Sequence, residues 1–268
     1  MNYELERLLG EGAFGQVFLG RSNVTHEVVA VKKFYRGKES DGDYEASIIK
    51  QIPINIHLPR FVDEFMYLGS YYLVSNFIQG KEFFDYQNSL DFAGRRDPLL
   101  LPVVNALATQ ILDALQTIHS IGIVHRDLKP ENMMFDSSTI NFVLIDVGGA
   151  CDVRGCGTPQ GTPGFLSPDL AYAYENYEEV GEPLPANIEL YKKGDVFALG
   201  VTLFEFVEGN VPPFAELPRR AQSNYIIQDF NRPNSLTYPD QKITRMITLM
   251  LSGKYNASDM IYQFTTTI

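Results

Sequence analysis

Apolar and polar residues alternate in two different ways along this chain, and the change falls near residue 80. Before it the alternation is short-range. "QVFLG" and "EVVAVKKF" carry the period of two that sends successive side chains to opposite faces of a strand, and the polar "RSNVTH" between them predicts a turn. "FVDEFMYLG" and "YYLVSNFIQG" read as two further strands. Between the pairs, "YEASIIKQI" has helical spacing through Ile48, Ile49 and Ile52. Beyond residue 80 the helical period takes over. "LPVVNALATQILDALQTIHS" puts Val103, Leu107, Ile111, Leu115 and Ile118 on one stripe. "GDVFALGVTLFEFVEG" is apolar nearly all round, which predicts a buried helix, and "ITRMITLML" and "ASDMIYQF" read as two more helices. No internal repeat is visible. A small strand-rich part followed by a larger helical part predicts two lobes with a cleft between them.

Composition narrows this picture. With 268 residues, 45% of them hydrophobic, the chain can build one or two domains with a sizeable core. The net charge is −11, from 22 basic and 33 acidic residues, and no basic cluster is longer than Arg95-Arg96 or Arg219-Arg220. A nucleic-acid partner is therefore not expected. Only Cys151 and Cys156 occur, too few for a disulfide scaffold, so two ordinary thiols in a reducing compartment are expected, with a redox switch as the alternative. "MNYELERLLGEG" lacks the apolar segment of a signal peptide, and no run reads as a membrane span. The expectation is a soluble, cytoplasmic protein.

"LGEGAFGQV" spaces Gly10, Gly12 and Gly15 as G-x-G-x-x-G-x-V. Glycines let a backbone approach phosphate closely, but dinucleotide folds share this spacing. A dinucleotide site needs a helix after the glycines and an acid at the end of the second strand. Here "QVFLG" alternates like a strand, and "VAVKKF" delivers Lys32 where the acid would stand.

"IVHRDLKPENMMF" brings His125, Arg126, Asp127, Lys129, Glu131 and Asn132 together between an amphipathic helix and an apolar strand. With the glycine loop and Lys32, this run closely resembles the catalytic loop of eukaryotic-type protein kinases. The resemblance implies an α+β, bilobal fold: a small antiparallel β-sheet lobe with one main helix to about residue 75, a hinge at about 76–80, and a larger, mostly helical lobe beyond. It covers 1–268 as a single domain.

Phosphoryl transfer needs alignment and charge neutralisation more than covalent chemistry. By resemblance, Asp127 orients and deprotonates the acceptor hydroxyl, Lys129 steadies the γ-phosphate of ATP, and Asn132 offers a neutral oxygen to Mg²⁺. "DVG" stands where the family writes D-F-G, so Asp146 becomes the metal acid. Val147 replaces a bulkier aromatic, which implies looser packing against the helix whose acid pairs with Lys32. That acid is assigned to Glu45, with Glu39, in a polar turn, as runner-up. Leu9, Val17 and Ala30 would roof the adenine, Met134 would floor it, Ser75 would guard the back of the pocket, and the backbone from Asn76 to Ile78 would meet the base edge.

"GTPGFLSPDL" resembles the peptide-docking segment of the family, and Asp195 matches the helix aspartate that braces the catalytic loop. Asn256 stands about where a late arginine is usual, which suggests a hydrogen bond to Asp169. The acidic "AYENYEEVGEPLPANIE" reads as a solvated loop, with a docking surface as the alternative. Lys129 and Thr162 resemble the serine/threonine branch. Glu82, Glu131 and Glu205 match positions that hold substrate arginines, a leaning toward Arg-rich protein substrates, and Pro159, Pro163 and Leu166 suggest an apolar pocket beside the acceptor. Thr158, Thr162 and Arg126 are the regulatory candidates: an upstream kinase or autophosphorylation would load Thr158, and Arg126, with Arg154 as a second base, would hold the phosphate. A pseudokinase scaffold and a small-molecule kinase are the other readings.

Overall fold

The computed structural model describes residues 2–152, 156–216 and 236–265. Five strands form one antiparallel sheet: β1 (Tyr3–Glu11), β2 (Gly15–Ser22), β3 (Val28–Phe34), β4 (Phe61–Tyr67) and β5 (Ser70–Asn76), in the order β1-β2-β3-β5-β4. Alternation sets the two faces. On one, Tyr3, Val29, Val31, Tyr72 and Val74 are buried together, with Phe65 stacked on Tyr72 at 5.0 Å between ring centroids. The other face gives Phe34, Tyr71 and Leu73 to the main core, against Ala46, Ile48 and Ile49 of α1 (Glu39–Ile49). Glu39 is thus the first residue of the helix rather than part of a turn before it, and its carboxylate accepts from the backbone N–H of Gly37.

The larger lobe is built on two long helices, α4 (Leu101–Ser120) and α6 (Ile188–Glu208). The expected stripe of α4 is buried, from Val103 to Ile118. Together with the turn before it, Pro98–Ser120 is 23 residues long and apolar enough to cross a membrane, contrary to the expectation that no run reaches that length. In this fold the apolarity has a partner: α4 packs on α6 and on the strand β9 (Asn141–Leu144). Each fully buried Leu or Ile contributes roughly 1.5–3 kcal/mol. Before α4 come β6 (Lys81–Glu82), α2 (Phe83–Asn88) and α3 (Phe92–Arg95); after it come β7 (Ile123–Val124), β8 (Met133–Asp136), β9 and β10 (Cys151–Asp152). β8 pairs with both β6 and β9. Phe83, Phe135, Phe142 and Phe206 pack edge to face or stacked where these short strands meet α2 and α6.

Two expectations change in the helical lobe. Part of the acidic stretch read as a loop is the C-terminal half of α5 (Pro168–Val180), which buries only Leu170, Ala171 and Tyr174 and stops at Gly181, where φ is +71°. α6 starts at Ile188, six residues before "GDVFALG", because the Asn187 side chain accepts from the Glu189 N–H at 3.1 Å and caps it. α7 (Gln241–Leu251) is capped in the same way by Asp240, and α8 (Ala257–Thr265) packs on α4 and α6.

Candidate active site

The small lobe contributes a charged pair. Lys32 projects from β3 and Glu45 from the buried face of α1, and they meet at 2.6 Å between Nζ and Oε2, with side chains only 18% and 9% exposed. Lys32 Nζ also lies 3.5 Å from Asp146 Oδ1. Burial works against the charge on Lys32, but Glu45 and Asp146 outweigh it and hold the ammonium above the ordinary lysine range. Burial pushes Glu45 up, against the pull of Lys32. Lys32 governs the pair, because it answers to two carboxylates.

Asp146 follows β9 in the left-handed region, φ +60°, a conformation that aspartate tolerates better than most residues. Its carboxylate accepts from the Gly148 N–H at 3.2 Å. Burial alone would raise its pKa; Lys32 and that N–H more than offset this and hold the acid below the usual carboxylate range. Val147 is 2% exposed and belongs to the main core, and α1 packs on the turn from Val147 to Gly149. A Cβ at Gly148 would stand 3.0 Å from Glu45 Oε2 and 3.1 Å from Asp146 Oδ1. Only glycine leaves both acids where they are.

The large lobe contributes the loop after β7. Buried Asp195 of α6 clamps it: Oδ2 accepts from the His125 N–H and pairs with His119 Nε2, both at 2.8 Å, and Oδ1 accepts from the Arg126 N–H at 2.8 Å. Burial opposes the Asp195 charge, but His119, His125 and the backbone donors win and depress its pKa. Arg126 thereby sits at φ +69°. One hydrogen-bonded network follows. Thr162 Oγ1 donates to Asp127 Oδ1 at 2.7 Å and accepts from Lys129 Nζ at 2.7 Å. Lys129 Nζ lies 3.2 Å from Asp127 Oδ2, and Asn132 Nδ2 donates to the Asp127 carbonyl at 2.8 Å and to Oδ2 at 3.1 Å. The Ile145 N–H donates to the Asn132 carbonyl at 2.8 Å, which ties Asp146 to the same loop. From the sequence Thr162 was a regulatory candidate and, with Lys129, a mark of the serine/threonine branch; its bridge to Asp127, 35 positions away, was not foreseen.

Among the described residues no three His, Cys, Asp or Glu side chains cluster as a metal cage. The donors present suit a smaller share of the coordination. Asn132 spends its amide nitrogen on Asp127, so its oxygen is the atom left for a cation, and Asp146 adds an anionic oxygen. A hard ion such as Mg²⁺ takes one or two protein ligands and completes its shell with phosphates and water.

The glycine loop is not uniform. The Gly12 N–H donates to the Gly15 carbonyl at 2.9 Å. A Cβ at Gly15 would lie 2.1 Å from the Lys33 carbonyl oxygen, so this glycine is required by the β2–β3 pairing, whereas one at Gly10 or Gly12 would meet nothing within 4 Å. Leu9 is 37% exposed, and Val17, Ala30, Ser75 and Met134 are half-buried on β2, β3, β5 and β8. Asn76 accepts from the Arg60 N–H through its side chain at 2.6 Å, and β5 ends there, with Phe77 and Ile78 leading to Gly80. At Gly80, φ +125°, a Cβ would strike the Phe135 carbonyl oxygen at 2.4 Å.

Three acids gather at one side. Glu82 precedes α2 without a side-chain bond to its end, Glu131 is exposed on the catalytic loop, and half-buried Glu205 accepts from Gln87 Nε2 at 2.9 Å. Burial, then Asp85 and Glu131, push Glu82 up; burial and Glu131 do the same to Glu205.

Other expectations are revised. Asn256 donates its amide to Glu189 Oε2 at 3.2 Å rather than to Asp169, which is exposed. Arg126 is engaged with main-chain oxygens, Nε with the Gly149 carbonyl at 2.8 Å and Nη1 with the Thr158 carbonyl at 3.0 Å. Arg154 lies outside the described residues. Cys151 and Cys156 are not free thiols but form a disulfide. β10 pairs with β7 in register Cys151 with Val124, and Cys156 packs beside it on Tyr191 and Ile188, which brings the sulfurs together.

A two-lobed fold whose cleft is walled by a lysine–glutamate pair, a glycine turn and a loop of aspartate, lysine and asparagine defines a protein kinase. The chain belongs to the protein kinase domain family, whose pattern matches residues 3–264. It is 27% identical over 252 residues to human Rho-associated protein kinase 1, covering 89% of this chain and 17% of that protein. It is 26% identical over 251 residues to a probable serine/threonine-protein kinase MARK-C of Dictyostelium discoideum, covering 88% and 29%. With serine/threonine-protein kinase TIO of Arabidopsis thaliana the identity is 28% over 257 residues, covering 91% and 17%. The chain thus spans less than a third of the length of these relatives.

Proposed function

We propose that this chain is a single-domain, ATP- and Mg²⁺-dependent protein serine/threonine kinase, acting in the cytoplasm and favouring arginine-bearing substrates. The observation that carries the reading is the Asp127–Thr162–Lys129 network facing Lys32, Glu45 and Asp146 across one cleft. In this reading Asp127 accepts the proton of the incoming hydroxyl at Oδ1, where Thr162 now donates. Lys129 steadies the transferring phosphate, Lys32 grips the phosphates behind it, and Glu45 holds Lys32 in line. Asp146 and Asn132 would hold Mg²⁺, which would supply charge neutralisation to the bound phosphates. Leu9, Val17, Ala30 and Met134 enclose the adenine, and the backbone at Asn76 and Ile78 meets its edge.

The serine/threonine assignment is supported by the bridging Thr162 and by the names of the relatives above. The arginine preference is supported by Glu82, Glu131 and Glu205, whose mutual repulsion a guanidinium would relieve. Thr158, exposed and held through its carbonyl by Arg126, is the site that an upstream kinase or the chain itself would phosphorylate. The test is phosphate transfer from labelled ATP with Mg²⁺ to serine/threonine peptides with and without arginine, beside a tyrosine peptide. Transfer to the arginine peptides, lost in Asp146→Asn, is expected. No transfer to any peptide and no autophosphorylation would sink the proposal.

A further inference from the structure

The segment between Asp146 and Thr162 is held at two levels. Arg126 donates to the Gly149 and Thr158 carbonyls, one on each side of the ring closed by the Cys151–Cys156 bond. Cys151 is fully buried on β10, which pairs with the strand leading directly into His125. Cys156 is half-exposed on the small cluster of Val124, Leu166, Leu170, Tyr174 and Tyr191, and its carbonyl accepts from the Tyr191 hydroxyl at 3.5 Å. Six positions on, Thr162 makes the bridge to Asp127 and Lys129. The disulfide therefore fixes the start of the stretch that delivers Thr162, and does so with the Thr158 side chain left out of the Arg126 contacts.

We propose that the Cys151–Cys156 disulfide is a redox-controlled clasp on this segment, closed in the active arrangement and opened by a dithiol reductant. The inference rests on the kinase reading above. The geometry sets the direction of attack. A cavity of about 130 Å³ borders Cys156, Leu184, Pro185, Ile188 and Tyr191, so the reductant reaches Cys156 Sγ rather than buried Cys151. Its thiolate bonds to Cys156 Sγ, the S–S bond breaks, and Cys151 leaves as a thiolate and takes a proton. The second thiol of the reductant then displaces Cys156, which leaves as a thiol. Two electrons and two protons pass to the protein, and the dithiol becomes a disulfide. A peroxide reverses the change by taking two electrons from the two thiols and leaving as water. Opening frees a ring of about six residues, for which chain entropy sets a ceiling of roughly fortyfold on the loss of the ordered segment.

The experiment compares the full chain after peroxide and after dithiothreitol, with thiols counted by alkylation and mass. Peptide phosphorylation and amide hydrogen exchange over 156–166 are read in parallel. The expected result is no alkylation and slow exchange when oxidised. On reduction, two alkyl groups, faster exchange and roughly a tenfold lower kcat/KM are expected, restored by reoxidation. Cys156→Ser, at the half-exposed position, should give the reduced kcat/KM and exchange under both treatments, with the Tm of the reduced parent protein and one alkylated thiol. Equal kcat/KM and exchange in both redox states would overturn the clasp, as would two alkylated thiols after peroxide. If no phosphate is transferred in either state the kinase reading fails, and the exchange result still decides the clasp.

Discussion

Glu45→Gln isolates the pair that aligns Lys32. The substitution keeps shape and a hydrogen-bonding atom but removes the charge that lies 2.6 Å from the ammonium. Breaking a buried pair typically costs 3–5 kcal/mol. Here the loss is smaller, because Gln still accepts a hydrogen bond and Asp146, 3.5 Å away, takes part of the charge. About 2–3 kcal/mol remains, or roughly 30- to 150-fold in rate. The compensation is itself harmful: Lys32 swings toward Asp146 and away from the phosphates, and it competes with the cation for that carboxylate. The assay is kcat/KM at varied ATP and Mg²⁺, with Tm measured alongside. The defect should soften as Mg²⁺ is raised. The sign with pH also follows. Lys32 titrates above its ordinary range in the fold, so the pair's contribution is complete below the unfolded lysine value and is lost only as pH climbs through the raised one. The loss should therefore persist at pH 8 and narrow toward acidic pH, where Glu45, raised by burial, begins to take a proton in the parent protein. A Gln variant within twofold of wild type, or a defect indifferent to Mg²⁺, would refute the reasoning.

Asp195→Asn should cost about 2–4 kcal/mol of stability by urea unfolding, since the neutral amide cannot satisfy the donors of His125, Arg126 and His119 together. In the parent protein Asp195 is depressed, so its contribution is present above the ordinary aspartate range and disappears as pH falls through the lowered value. For arginine peptides, KM should rise as pH falls, beginning above the usual glutamate range because Glu82 and Glu205 are both raised; Glu205→Gln should remove about tenfold of the preference over matched lysine-free, arginine-free peptides. Val147→Phe, which restores the commoner aromatic, should lower stability by about 1–3 kcal/mol, as Val147 is 2% exposed within the main core. Unfolding of that variant at an unchanged or higher urea midpoint would show that the core has room for the ring.

Strands β2 to β5 were legible because their alternate apolar residues pack inward, so burial writes itself into the sequence with period two; β1, which buries only Tyr3, carries no such signal and was missed. Glu45 was found for a related reason: Ile48 and Ile49 mark the inward face of α1, and the acid falls on it. α5 was not, because a helix that buries Leu170, Ala171 and Tyr174 alone leaves an acidic, tyrosine-rich face that reads as solvent, with Gly181 and Pro183 beyond it. The cysteine pair was hidden by a different limit. A spacing of five positions does not say whether two thiols meet; the pairing of β10 with β7 decides it. The bridging part of Thr162 and the turn of Asn256 toward Glu189 are likewise made by contacts distant in sequence, where a local pattern has nothing to report.

The clamp on Asp195 and the bond from the Ile145 N–H to Asn132 give Asp127, Asn132 and Asp146 a common coordinate frame, anchored in the helical lobe. Lys32 and Glu45 belong to another, carried by the sheet. The 3.5 Å approach of Lys32 to Asp146 is measured from one frame to the other. It serves the molecule as a gauge: any rotation of the lobes registers there as a change in charge separation before a single bond inside either frame has to lengthen.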